Sequence, residues 1–274
     1  MKHLSVFAAS TLLALSIFIS QADAAAAKAK KPISKPAKVE TVAAPVVATA
    51  GTFFTATIHD LKEREKKMFE YVSTFELDGT KRIMTNTFTE LAGGTTAAVE
   101  KTVMQTADGQ WRLLSYLQEQ RQLGTVGILE VDGNEAKFAF TKDGKTKTSS
   151  ERVGDDLVVG PSLLGFLKAR WDKILKGETV KARFAVMDRQ ETVGFEYFKV
   201  AEKDVAGRPA IVVKMKPSSF IIAALVDPLL FTFSKDDTTL LELEGRTIVK
   251  VKKGEKFADF DGYTTYSYPS QVKP

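Results

Sequence analysis

The stretch VGILEVDGNEAKFAFTKDG, residues 126–144, decides the fold. Residues 126–131 and 136–141 are short runs in which apolar side chains alternate with polar or small ones, the period of a half-buried strand. Each run is followed by Asp-Gly, at Asp132-Gly133 and at Asp143-Gly144. That dipeptide supplies the positive φ that two-residue hairpin turns demand. The stretch therefore predicts two successive antiparallel hairpins.

The same grammar extends in both directions. Upstream, residues 68–77 end at Asp78-Gly79, residues 81–91 at Gly93-Gly94 and residues 99–105 at Asp108-Gly109, and residues 111–121 make a long candidate strand. Four Asp-Gly turns in this half predict a meander rather than parallel strands, which need long crossovers. Downstream, strands are predicted over residues 180–186, 193–201, 210–216, 229–234, 239–244, 247–252 and 263–268, with Gly207 in one turn and Asp261-Gly262 as a fifth Asp-Gly turn. No repeat of solenoid length is present.

One helix interrupts the strands. Leu163, Leu164, Phe166, Leu167, Trp171, Ile174 and Leu175 form one apolar stripe at i, i+3, i+4 spacing. Ser162 is placed to cap it and Gly177 to end it in the left-handed conformation. The expected fold is thus mainly β: one strongly curved antiparallel sheet, open and barrel-like, with one long amphipathic helix and one short apolar helix.

That short helix comes from PSSFIIAALVDPLLF, residues 217–231, in which residues 220–226 carry no polar side chain. Seven residues cannot span a bilayer. Being apolar all round, the segment has to be covered by the sheet, by a partner or by a ligand. Either it is a core helix filling the concave sheet, or it is a lid over an apolar cavity. The residues expected to line such a cavity are Phe166, Trp171, Phe220, Ile221, Leu225 and Leu230.

The N-terminus reads as an export signal. Lys2 and His3 precede an apolar run over residues 4–20, and Ala22-Asp23-Ala24 supplies the A-x-A exit, so cleavage after Ala24 is expected. Residues 25–50 are rich in Ala, Lys and Pro and lack aromatics, the composition of a solvated linker. The organisation expected is a signal peptide (1–24), a linker (25–50) and a single domain (51–274), working in the periplasm with no transmembrane segment in the mature chain.

Of the formal net charge of +5, most lies in that linker, which carries five lysines against one glutamate. The domain is nearly neutral, which argues against nucleic-acid binding, where a basic face is usual. The 274 residues include no cysteine, which rules out disulfides, thiolate metal sites and cysteine nucleophiles. After cleavage His59 is the one histidine left, so the usual zinc ligand sets cannot form and no cofactor or metal is implied. No serine sits in a G-x-S-x-G elbow. The acid pairs Asp155-Asp156, Asp188 with Glu191 and Asp236-Asp237 stand in polar turns, where aspartate is favoured for its backbone hydrogen bonds.

The segments FLKARWDKILKGETVKARFAVMDRQETVGFEYF (166–198), MKPSSFIIAALVDPLLFTF (215–233) and LLELEGRTIVK (240–250) resemble a family of uncharacterised proteobacterial exported proteins, for which no activity is known. In layout the chain also resembles the periplasmic lipoprotein carriers, which wrap an open antiparallel barrel around an apolar cavity beneath helices. That resemblance implies a non-enzymatic protein that binds a lipid or acyl chain. A structural or protein-interaction component of the cell envelope, and a hydrolase with an unrecognised site, stay open as alternatives.

Overall fold

A computed structural model describes residues 49–107, 110–224 and 226–269. The expected export signal, most of the expected linker, the expected Asp108-Gly109 turn and Leu225 lie outside the described residues. The strands are β1 (Thr49–Asp60), β2 (Lys67–Asp78), β3 (Lys81–Glu90), β4 (Thr96–Ala107), β5 (Gln110–Gln120), β6 (Thr125–Asp132), β7 (Glu135–Lys142) and β8 (Lys145–Arg152), then β9 (Leu157–Val158). The helices α1 (Gly160–Lys168) and α2 (Trp171–Leu175) follow. The chain continues as β10 (Val180–Val186), β11 (Glu191–Val205), β12 (Arg208–Pro217), the short helix α3 (Phe220–Ala223), β13 (Leu229–Ser234), β14 (Leu240–Lys253) and β15 (Lys256–Ser267).

All fifteen strands form one sheet, ordered β8-β7-β6-β5-β4-β3-β2-β1-β15-β14-β13-β12-β11-β10-β9. Every neighbouring pair is antiparallel except β9 with β10. Two meanders are therefore joined where β1 pairs with β15, and the free edges are β8 and β9.

The sheet rolls until those edges approach each other. Ala185 and Met187, from the β10 end, share a core with Leu129 of β6 and Phe138 of β7. A β-carbon on Gly127 of β6 would stand 2.8 Å from that of Met187, so only glycine allows this approach. Side chains close the gap that the backbone leaves open. Ser149 of β8 donates to the Gln190 carbonyl at 2.5 Å, and Glu151 accepts the Thr192 N–H at 2.8 Å. The curved sheet is not closed by backbone pairing.

A second core lies under α1 and α2. Leu163, Leu167, Trp171 and Ile174 pack on Tyr197, Ile211, Val213, Phe231 and Phe233 of β11–β13. A third core closes one end of the sheet, where Phe69, Phe88 and Ala98 meet Val249 and Phe260. There the β14–β15 register slips between Arg246 and Lys250, and β14 reaches β5. Gln120 donates to the Ile248 carbonyl at 2.6 Å, and Gln122 exchanges two 2.8 Å bonds with the Lys250 backbone.

Several expectations are corrected. The single helix expected between Ser162 and Gly177 is broken into α1 and α2 at Ala169-Arg170. Arg170 turns back at the break: its guanidinium donates to the Phe166 carbonyl at 3.2 Å and lies 3.7 Å from that ring's centre. Trp171 is thereby turned into the core. Ser162 stands in the first turn rather than before it, accepting the Val159 N–H at 2.9 Å. Asp261-Gly262 makes no turn but lies within β15, where a β-carbon on Gly262 would meet Ile58 at 2.7 Å. The strands expected over residues 239–244 and 247–252 are one bulged strand, β14. Strand β1 begins at Thr49, inside the stretch read as linker.

Candidate functional site

The described residues of the expected lining stand in different surroundings. Trp171 is buried against Phe233, ring centres 5.3 Å apart, as part of the core beneath the helices. Phe166 is half-buried at the edge of the same core. Leu230 shares a cross-strand row with Lys214 and Glu244, on the face opposite to that of its neighbours Leu229 and Phe231. Phe220 and Ile221 lie on α3, 87 % and 74 % exposed, and Val226 is 40 % exposed. None of the α3 residues is buried, so α3 is not a core helix. The reason is geometric: α3 is a single turn placed beyond the end of β12, past the last inward positions of the sheet. Leu225 falls outside the described residues.

A different constellation lies on the concave face of β1–β8. Side chains alternate across a strand, and along β3 the inward positions are Arg82, Met84, Asn86 and Phe88. Cross-strand register extends each into a layer. Arg82 aligns with Met104 and Leu113; Met84 with Thr102, Tyr116, Leu129 and Phe138. Asn86 aligns with Ser73, Glu100 and Gln118; Phe88 with Tyr71, Ala98 and Gln120.

The Asn86 layer holds a buried carboxylate. Asn86 Nδ2 donates to Glu100 Oε2 at 3.0 Å, the Tyr116 hydroxyl donates to Oε1, and Gln118 Nε2 donates to the Tyr116 oxygen at 3.1 Å. The first residue of α1 sits against the same carboxylate, since a β-carbon on Gly160 would lie 3.5 Å from Oε1. Helix N-termini favour negative charge. Glu100 is in no ion pair among the described residues. Burial pushes its carboxyl above the ordinary carboxylate range, and the bonds from Asn86 and Tyr116 pull it partly back. Burial likewise holds the Tyr71 and Tyr116 phenols well above their usual range, and the Glu100 charge adds to both.

Around this group several polar atoms are stranded. Ser73 Oγ, Asn86 Oδ1, Thr102 Oγ1 and Gln120 Oε1 are buried without a hydrogen-bond partner. Aromatic rings flank them: Tyr71 stacks on Phe88 at 4.2 Å and meets Phe54 edge-on at 5.0 Å.

At the open rim, two layers away, stands Arg82. Its guanidinium lies 5.6 Å from the ring centres of Phe53 and Trp111 and 5.7 Å from that of Phe75. Its Nε is buried and unpaired, and it has no carboxylate partner among the described residues. Burial lowers its pKa, yet a guanidinium remains a cation at any physiological pH. The concave face thus runs from a cationic, aromatic rim through a methionine and leucine layer to a polar floor.

The pattern of β3 and β4 carried a signal for these residues. Asn86 and Glu100 occupy the phase that Met84, Phe88, Ala98 and Met104 mark as inward. A polar residue in an apolar phase is the anomaly worth pursuing. Among the described residues no three His, Asp or Glu side chains converge as a metal set.

Comparison with known proteins adds little. No family model matches the chain, and no curated protein matches it. Among solved structures it is similar to a beta-barrel-like protein of a domain of unknown function, DUF1849, from Brucella abortus. The identity is 9 %, the TM-score 0.36, and the match covers 81 % of this chain and 98 % of that one.

Proposed function

We propose that this is an exported, periplasmic, non-enzymatic protein that binds a hydrophobic ligand, a lipid or acyl chain, in the concavity of its curved sheet. The observation that carries this reading is the incomplete interior of β1–β8. Buried polar side chains are normally paired, and each orphan costs about 1–3 kcal/mol. Four such orphans stand among Phe54, Met84, Met104, Leu113, Leu129 and Phe138, which are themselves buried. An apolar surface with a few convergent polar groups is the usual character of a small-molecule site, and a bound molecule or ordered water has to complete it. The export signal and the domain boundaries read from the sequence belong to the same proposal.

The test is titration of the purified protein with a fluorescently labelled acyl chain, competed by unlabelled dodecanol. Saturable one-to-one binding that dodecanol displaces is expected. No saturable binding by protein shown to be folded would overturn the reading and leave water as the occupant.

A second reading, a component of the cell envelope that engages a partner, is favoured by one separate observation. Phe220 and Ile221 are exposed on α3, at the opposite rim from Arg82. An apolar tip of this kind is characteristic of an interaction site.

A further inference from the structure

We propose that Arg82 anchors the head of the ligand, and that the ligand is a long-chain carboxylic acid bound with its carboxylate at the aromatic rim and its chain on the concave face. The inference rests on the ligand-binding reading above and names the substrate class of that site.

Three observations converge on it. The first is charge. Arg82 has neither an acidic partner nor a bond at its buried Nε among the described residues. An arginine with no carboxylate partner among the described residues is free to take one from a ligand. Its planar fork of N–H donors matches a carboxylate with two parallel bonds. The second is surroundings. Phe53, Phe75 and Trp111 encircle the guanidinium, and Trp111 is 45 % exposed, so the cation stands at the border between water and apolar side chains. A head group bound there is partly desolvated, which strengthens an ion pair relative to open water. The third is direction. Along β3 the next inward residue is Met84, and Met104 and Leu113 share the Arg82 layer. These three side chains are buried in the core, so an alkyl chain leaving the guanidinium enters by parting a layer of methionine and leucine, and methionine adapts readily to irregular apolar shapes. The Glu100 layer, four residues along β3 and about 14 Å away at strand rise, is Ser73, Asn86, Glu100 and Gln118 and offers a carboxylate no cation, which fixes the polarity: head at the rim, tail inward.

The experiment compares dodecanoate, dodecanol, dodecylamine and dodecyl phosphate by isothermal titration with the wild-type chain, Arg82→Gln and Arg82→Lys, folding being checked by circular dichroism. Dodecanoate is expected to bind wild type at least tenfold more tightly than dodecanol or dodecylamine. Arg82→Gln should erase that preference while dodecanol affinity stays within about twofold, and Arg82→Lys should keep part of it. Equal affinities for dodecanoate and dodecanol in the wild type, or a preference untouched by Arg82→Gln, would overturn the anchor and leave the hydrophobic site standing. Tighter binding of dodecyl phosphate than of dodecanoate would overturn the carboxylate and assign the anchor to a phosphate ester. Binding of none of the four by folded protein would defeat both this inference and the ligand-binding reading.

Discussion

At the scale of single residues, Glu100 is the most informative side chain. Burial raises its carboxyl above the usual range, so the folded chain holds that proton more tightly than the unfolded chain does. Its contribution to stability is therefore fully present below about pH 4.3, the ordinary glutamate value, and is lost as pH rises through the raised folded value. Glu100→Gln removes that titration. With Asn86 turned over, its Oδ1 can accept from the new amide while Tyr116 still donates to the remaining oxygen. In urea denaturation at a series of pH values, the variant should gain stability relative to wild type between pH 4 and 7. Parallel pH profiles would show that Glu100 is satisfied as an anion. Little of this was legible beforehand. The alternation places Glu100 in the inward phase of β4, but a single glutamate in a strand is ordinarily taken as a wet-face residue. Only the register that stacks Ser73, Asn86, Glu100 and Gln118 in one row reveals a polar floor. Arg82 was equally hidden, because its partners Phe53 and Trp111 come from distant strands.

At the scale of elements, strands and turns were readable because their signals are local. Alternation and Asp-Gly place β6, β7 and the turn between them within a residue of where they stand. The Asp143-Gly144 turn implies a strand after it, but the bounds of β8 escaped because KTKTSSER has no apolar phase. It pairs by backbone bonds to β7 and its side chains face water almost throughout. The apolar run showed the opposite failure. Its composition predicts burial, yet whether a one-turn helix meets the sheet depends on where β12 ends, which no local pattern encodes. The two helical segments should accordingly respond differently to truncation. Leu167→Ala, in the core beneath α1, should cost about 2–5 kcal/mol. Phe220→Ser with Ile221→Ser should stay within about 0.5 kcal/mol of wild type, as exposed positions do. If α3 is a docking tip, the same double variant should also lose retention on washed envelope membranes. A loss of several kcal/mol from the α3 variant in urea denaturation would instead mean that the helix is packed in solution.

At the scale of the whole molecule, one sheet of fifteen strands makes two faces of very different character. The half formed by β9–β15 is covered by α1 and α2 laid over β11–β13, with Trp171 Nε1 and the Tyr197 hydroxyl left unpaired beneath them. The half formed by β1–β8 has a buried core too, in which Phe54, Met84, Leu129 and Phe138 meet Ala185 and Met187. Its inward face ends in unpaired oxygens and an unpaired guanidinium, although its outer edge is tied to β11 through Ser149 and Glu151. Both halves strand buried polar atoms, but those of β1–β8 are the more numerous and gather around one carboxylate, which folding alone gives no reason for and a ligand does. Composition could supply the class, a mainly β chain with an apolar interior, but not which half is occupied. That depends on how far the sheet rolls, and Gly127 against Met187 sets the limit. The account is tested most directly by native mass spectrometry of the protein released from the envelope of its own cells and never exposed to detergent. It predicts a population heavier than the polypeptide by one hydrophobic molecule, which denaturing solvent releases and Arg82→Gln depletes. A bare polypeptide mass under the gentlest ionisation, from protein that also takes up no added dodecanoate, would contradict it.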